Sequence, residues 1–180
     1  MKNTKEKIVK GAIELLSHTP SASMEEIGTA INLSRRTLHR YFGSKAELIE
    51  EITRYASHLW LEKTREAVVS FNTPIEQLKA MFRNDINSGY QFRFLYHYKD
   101  SIQTKEEEAS DLKEMMKLFR ELLKTLQEEK VLSSAYSLVW VERFYLSTVD
   151  AATSLIHEDQ SNKEEVLQMA WTSFLNGITV

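Results

Sequence analysis

Between Ser23 and Lys45 the sequence SMEEIGTAINLSRRTLHRYFGSK carries helix starts and stops so closely spaced that few backbone paths satisfy them all. Ser23 and Glu26 form a Ser-x-x-Glu capping box, which satisfies the free N–H groups at a helix start. Ile27, Ala30 and Ile31 follow at i, i+3 and i+4, giving that helix one apolar face. Asn32 is one of the few non-glycine residues that accepts a left-handed backbone, so it ends the helix and turns the chain. Leu33 is apolar and pins the turn to the core. Ser34 caps a second helix whose inner face is Leu38 and Phe42, one turn apart. Gly43 stops it, and Ser44 with Glu47 forms a second capping box that opens a longer helix.

Helix, short turn, helix is the geometry that lays a second helix into the major groove of DNA. The side chains left on its outer face make the reading specific. With Leu38 and Phe42 facing inward, Arg36 and Arg40 point away from the core, flanked by Thr37 and His39. Arg35 and Tyr41 lie at the margins of that face, and no acidic residue stands between Leu33 and Lys45. Arginines with hydroxyl and imidazole donors between them suit base edges and phosphates.

These motifs resemble the DNA-binding domain of the tetracycline-repressor (TetR) family of bacterial transcription regulators. The resemblance runs from about Ile8 to Leu48, under a third of the chain. It rests on Ile8, Gly11-Ala12, Leu15-Leu16, Ser23, Ile27-Gly28, Ile31-Asn32-Leu33-Ser34, Leu38-His39, Tyr41-Phe42 and Ser44-Lys45-Ala46-Glu47-Leu48. The sequence departs from the family pattern at four places. Asn32 replaces the usual turn glycine. Gly28 replaces an alanine and should loosen the helix that Ser23 opens by about 1 kcal/mol, unless a close contact uses the missing methyl. His39 stands where a phosphate-contacting tyrosine is usual, and Arg36 where a small residue is common.

The resemblance implies a DNA interface of Ser23, Ser34, Arg35, Arg36, Thr37, His39, Arg40, Tyr41 and Lys45. Arg35, Arg36 and Thr37 would meet base edges, because the N-terminal end of such a helix enters the groove. Ser23, His39, Tyr41 and Lys45 would hold phosphates, and Arg40 would do either. Lys45 stands at a helix N-terminus, where free N–H groups and the helix dipole already favour an anion.

Charge distribution agrees. The chain has 180 residues and a net charge of −3, a balance unfavourable to nucleic acid. Residues 1–50, however, hold eight Lys/Arg against six Asp/Glu, and the remainder fifteen against twenty. A mildly basic head on an acidic body fits a protein that touches DNA at one end. There is no cysteine, so neither disulfides nor a thiolate zinc site arises, and a reducing cytoplasm is compatible. Lys10 and Glu14 break the N-terminal apolar run, so it does not read as a signal peptide. No run approaches the ~18 apolar residues of a membrane span. Two prolines and five glycines suit long helices with short connections.

The expected fold is therefore all-α. An N-terminal three-helix helix-turn-helix domain over 1–48 precedes a helical regulatory and dimerisation domain over 49–180, with a connecting helix over 44–71. The first helix spans Lys5 to about Ser17, with Ile8, Ala12, Leu15 and Leu16 on one face; Lys2, Lys5 and Lys7 there are expected to be a solvated terminus, the alternative being an approach to phosphate or a minor groove. In the second domain Thr73 and Pro74 start a helix to about Ile86, and the aromatic run Tyr90 to Tyr98 follows. Thr104 with Glu106–Glu108 opens an acidic helix start, continuing to about Glu129. Ser133 or Ser134 begins a helix to about Ile156, and a last one covers 162–176. The 134–156 helix is apolar around much of its circumference, which calls for two packing partners. Following the family, it and the 162–176 helix are expected to form a two-fold homodimer interface, the alternative being a larger monomer core.

A small-molecule effector is expected in this second domain, where Met81, Tyr90, Phe94, His97, Tyr98, Met115, Phe119, Trp140, Phe144 and Tyr145 are candidates to line a cavity; residues of this kind at helical spacing equally make ordinary core. No cofactor, metal or membrane partner is expected. Two other readings, a helical protein-interaction module and an enzyme without DNA binding, find less support. No His-Glu-x-x-His, phosphate loop, Gly-x-Gly-x-x-Gly or Gly-x-Ser-x-Gly is present, and His157-Glu158-Asp159 falls in an expected loop. The sequence thus reads as a cytoplasmic DNA-binding transcriptional regulator, a ligand-responsive repressor binding a palindromic double-stranded operator.

Overall fold

The helix starts that follow Ser23, Ser34 and Ser44 are each made by the serine side chain placed there in the sequence. In the computed structural model, which describes residues 2–102, 108–159 and 161–179, α1 (Lys2–His18) is followed by α2 (Met24–Ala30) and α3 (Arg35–Tyr41). Next come α4 (Lys45–Ser70), α5 (Pro74–Ser88), α6 (Tyr90–Ile102), α7 (Glu108–Glu128), α8 (Leu138–Glu158) and α9 (Lys163–Ile178). No strand occurs among the described residues, only an isolated bridge between Leu132 and Thr179. None of the helices described is long and apolar enough to cross a membrane.

The described residues form two compact units, one from Met1–Leu59 with Tyr90–Asp111 and the other from Trp60–Gly89 with Leu112–Val180. In the first unit α1 packs on α2 and α6, and α2 on α3. Its core joins Ile8, Ala12 and Leu16 of α1 to Ile27, Leu38, Phe42, Leu48 and Ile52, and to Phe92, Phe94 and Leu95 of α6. The aromatic run from Tyr90 is therefore a helix of this unit.

In the second unit α8 packs on α9, and both pack on α5. Phe82 sits among rings there, with centroids 5.4 Å from Tyr145, 5.4 Å from Trp171 and 5.8 Å from Phe174. Thr73 caps α5 by accepting from the Glu76 N–H, with Pro74 in its first turn. The helix ends at Gly89, whose φ of 38° lies in the left-handed region and whose missing Cβ would stand 2.6 Å from His157 Nε2. A side chain there would meet both backbone strain and the imidazole.

Two boundaries differ from the sequence expectation. α8 begins at Leu138, capped by Ser137, rather than at Ser133 or Ser134. The intervening residues are spent otherwise: Ser133 N–H donates to the Ile178 carbonyl at 2.8 Å, and Gln127 Nε2 donates to the carbonyls of Ser133 and Tyr136. Backbone groups held by these partners are not available to a helix ladder. At the other end α8 continues to Glu158, so His157 is helical rather than in a loop. The expected acidic helix start at Thr104, Glu106 and Glu107 lies outside the described residues.

Candidate nucleic-acid interface

The recognition element is built from its caps inward. Ser23 N–H donates to Glu26 Oε2 at 2.7 Å, and Glu26 N–H donates to Ser23 Oγ at 3.2 Å, a complete capping box at the start of α2. Asn32 adopts φ 56°, and Leu33 N–H closes the turn onto the Gly28 carbonyl at 2.8 Å. That closure explains the glycine: a Cβ on Gly28 would stand 2.8 Å from the Leu33 carbonyl oxygen. Ser34 then caps α3, its Oγ accepting from the Thr37 N–H at 3.1 Å and lying 2.9 Å from Thr37 Oγ1.

On α3 the two faces separate cleanly. Leu38 is 0 % exposed and Phe42, just beyond the helix, 1 %. Arg35, Arg36, His39 and Arg40 are exposed, and Thr37 and Tyr41 are half-buried at the edges. The Arg40 guanidinium lies over the Tyr41 ring, 5.2 Å from its centroid. Hydrogen bonds from neighbours, Thr4 first and then Arg40, hold the Tyr41 hydroxyl below its ordinary pKa. Arg35 and Arg36 enter no ion pair among the described residues. The guanidinium groups thus project from a short helix braced from behind, where phosphates and guanine edges can be reached.

At the start of α4 the second capping box is redistributed. Glu47 N–H donates to Ser44 Oγ at 3.1 Å as expected, but the Glu47 carboxylate takes the N–H of Gly43, at 2.7 Å, instead of that of Ser44. Lys45 Nζ donates to the Pro20 carbonyl at 2.9 Å. Lys5, further back, pairs with Glu51 at 3.2 Å and lies over the Phe42 ring, while Lys7 is exposed.

Comparison with known proteins meets this geometry at the same residues. Residues 8–52 match the family model described as bacterial regulatory proteins, tetR family. Over those residues the chain is similar to the tetR family. A similar curated protein is the HTH-type transcriptional repressor LfrR of Mycolicibacterium smegmatis, 22 % identical over 175 residues, covering 97 % of this chain and 90 % of that one. Among solved structures, the ketosteroid transcriptional regulator KstR2 of Mycobacterium tuberculosis superposes with a TM-score of 0.79 at 17 % identity, covering 98 % of this chain and 95 % of that one. LfrR in complex with proflavine gives 0.72 at 21 % identity, with 98 % of each chain covered. At these identities the structural likeness speaks for the fold. Residues 8–52, which contain α2 and α3, carry that likeness and support the role of DNA-binding transcription regulator.

The residues expected to meet an effector are divided between the two units. Tyr90, Phe94, His97 and Tyr98 lie on α6 in the first unit, whereas Met81, Met115, Phe119, Trp140, Phe144 and Tyr145 belong to the second. Within the first, the Tyr90 ring meets His18 edge-on at 5.3 Å, His97 is exposed, and Phe94 stacks on Tyr98 at 4.5 Å. Within the second, Met81, Met115, Phe119 and Tyr145 are buried, Phe144 is half-buried, and Trp140 is 55 % exposed. A groove of about 510 Å³ also runs between the end of α4 and α5, lined by Phe71, Glu76, Lys79 and Arg83 among others; none of the expected effector residues lines it.

The structure adds a group that the sequence reading missed. Asp85 is 3 % exposed. Its Oδ1 accepts from Trp60 Nε1 at 2.6 Å and its Oδ2 from the Tyr145 hydroxyl at 2.7 Å. Burial pushes its pKa up to about 7, against the opposing pull of the Tyr145 and Trp60 hydrogen bonds and the Lys63 charge. The available signal was its place on the apolar stripe of α5, in line with Leu78, Met81 and Phe82. A carboxylate on such a stripe needs partners.

Proposed function

We propose that the protein is a ligand-responsive repressor that binds a palindromic operator as a homodimer in the cytoplasm. Residues 1–48 act as the DNA-binding domain, the helix over 44–71 as connector, and 49–180 as the regulatory and dimerisation domain. The observation that carries the DNA reading is the outward, acid-free face of α3. Arg35, Arg36 and Thr37 read base edges; Ser23, His39, Tyr41 and Lys45 hold phosphates; Arg40 serves either; and Ser34 fixes the start of the helix.

Dimerisation uses α8 and α9. Val139 is 61 % exposed, Trp140 55 % and Met169 54 %, and Arg143, Ser147 and Ala151 continue the exposed row on α8. Large apolar anchors beside small residues suit close helix packing across a two-fold axis. An effector is taken up in the second unit among Met81, Met115, Phe119, Phe144 and Tyr145, with the Asp85 carboxyl as a buried polar group. The proflavine complex of LfrR supports a small-molecule effector. Its binding favours a dimer whose recognition helices no longer match the operator spacing.

A mobility shift with the DNA upstream of the protein's own gene tests the reading. A shifted band that weakens steeply with salt is expected, since each neutralised phosphate releases counterions. Absence of a shift at low salt, or half-sites without inverted symmetry, would refute it.

A further inference from the structure

The Pro20 carbonyl receives two side-chain donors. Lys45 Nζ reaches it at 2.9 Å from the first turn of α4, and the Tyr98 hydroxyl at 2.8 Å from α6. Pro20 lies in the loop joining α1 to α2, three residues before the Ser23 cap. Tyr98 is well fixed for this task. Its ring stacks on Phe94 with centroids 4.5 Å apart, and Phe94 is fully buried in a helix that packs on α1. Burial raises the Tyr98 pKa above the ordinary phenol value, so the hydroxyl keeps its proton and remains a donor.

One carbonyl oxygen has two lone pairs and takes both donors. The two are unequal in mobility: an ammonium on a four-carbon stem can swing, whereas a phenol stacked at the end of a packed helix cannot. We propose that Tyr98 is a positioning residue for DNA binding, holding the Pro20 carbonyl so that Lys45 can exchange that oxygen for a backbone phosphate. With Tyr98 in place the carbonyl keeps a partner when Lys45 leaves. Without it, Lys45 is the remaining side-chain donor and is retained. The proposal rests on the reading of Lys45 as a phosphate contact.

The test is operator binding by the full chain, followed by fluorescence anisotropy across a salt series, for the wild type, Tyr98→Phe, Lys45→Gln and the double variant. Tyr98→Phe should weaken binding about three- to tenfold, the range of one lost hydrogen bond. It should also lower the slope of log K against log salt by about one per bound protomer, as Lys45→Gln does, because one phosphate contact is lost. In the double variant the slope should equal that of Lys45→Gln alone. A loop merely softened by the missing hydroxyl would weaken binding at unchanged slope and additively with Lys45→Gln, and that result overturns the proposal. So does a Tyr98→Phe variant that binds like the wild type while Lys45→Gln lowers the slope. Should Lys45→Gln leave the slope untouched, the phosphate reading of Lys45 falls, and the proposal with it.

Discussion

The Tyr145 hydroxyl donates to Asp85 Oδ2 at 2.7 Å inside the second unit, joining α8 to α5. Trp60 of α4 completes the carboxylate's shell from the other oxygen. Three helices thus share one buried acid. Such a group is costly to charge, and the two donors offset only part of that cost.

The consequence is a pH dependence of stability. Asp85 titrates at about 7 when folded, against an ordinary 3.8. Its favourable contribution is therefore complete below pH 3.8 and lost as pH rises through 7. The full span corresponds to at most about 4 kcal/mol. Asp85→Asn keeps the shape and one acceptor, and the Tyr145 hydroxyl can turn to accept from the new amide. Thermal unfolding from pH 5 to 8 should show the wild type losing stability relative to the variant; parallel curves would mean that Asp85 does not titrate in this range.

Gly28→Ala puts two effects in opposition. Alanine gains about 1 kcal/mol of helix propensity over glycine. The new Cβ would stand 2.8 Å from the Leu33 backbone oxygen, and that oxygen belongs to the turn itself. Backbone cannot rotate aside as a side-chain end can, so the clash should win by about 1–2 kcal/mol. A lower melting temperature for the variant is the expected sign. A higher one would show that the turn has slack.

Arg36 projects from α3 with no acidic partner among the described residues. Arg36→Ala should cost about 1–3 kcal/mol in operator binding and relax the preference at one base pair. Footprinting with the variant reads both. Unchanged affinity and sequence choice would place some other surface against the DNA.

Trp140 and Met169 are exposed apolar side chains on α8 and α9, and under the proposed dimerisation they anchor the two-fold seam. Replacing each by Glu should leave the helical content unchanged, since neither is needed to fill the core. Burying two like charges per protomer at a two-fold seam should dissociate the dimer. Sedimentation of the double variant as a monomer is expected; a dimer as tight as the wild type would move the interface elsewhere.

Where the helices of the recognition element begin and end, and which side of α3 faces inward, is written in residue order alone. Ser23, Asn32, Ser34 and Thr73 act on backbone groups within a few residues, and the 3.6-residue period sends Leu38 and Phe42 one way and Arg36 and Arg40 the other. Such interactions are local, so residue order encodes them. Long-range packing is what sets α6 on α1, delays α8 until Leu138, and lets Lys45 and Tyr98 share the Pro20 carbonyl. The partners of Asp85 are of the same kind, with Tyr145 sixty residues away in the chain. A side-chain donor meets a distant acceptor only where packing brings their helices together, and no spacing along the chain records that meeting.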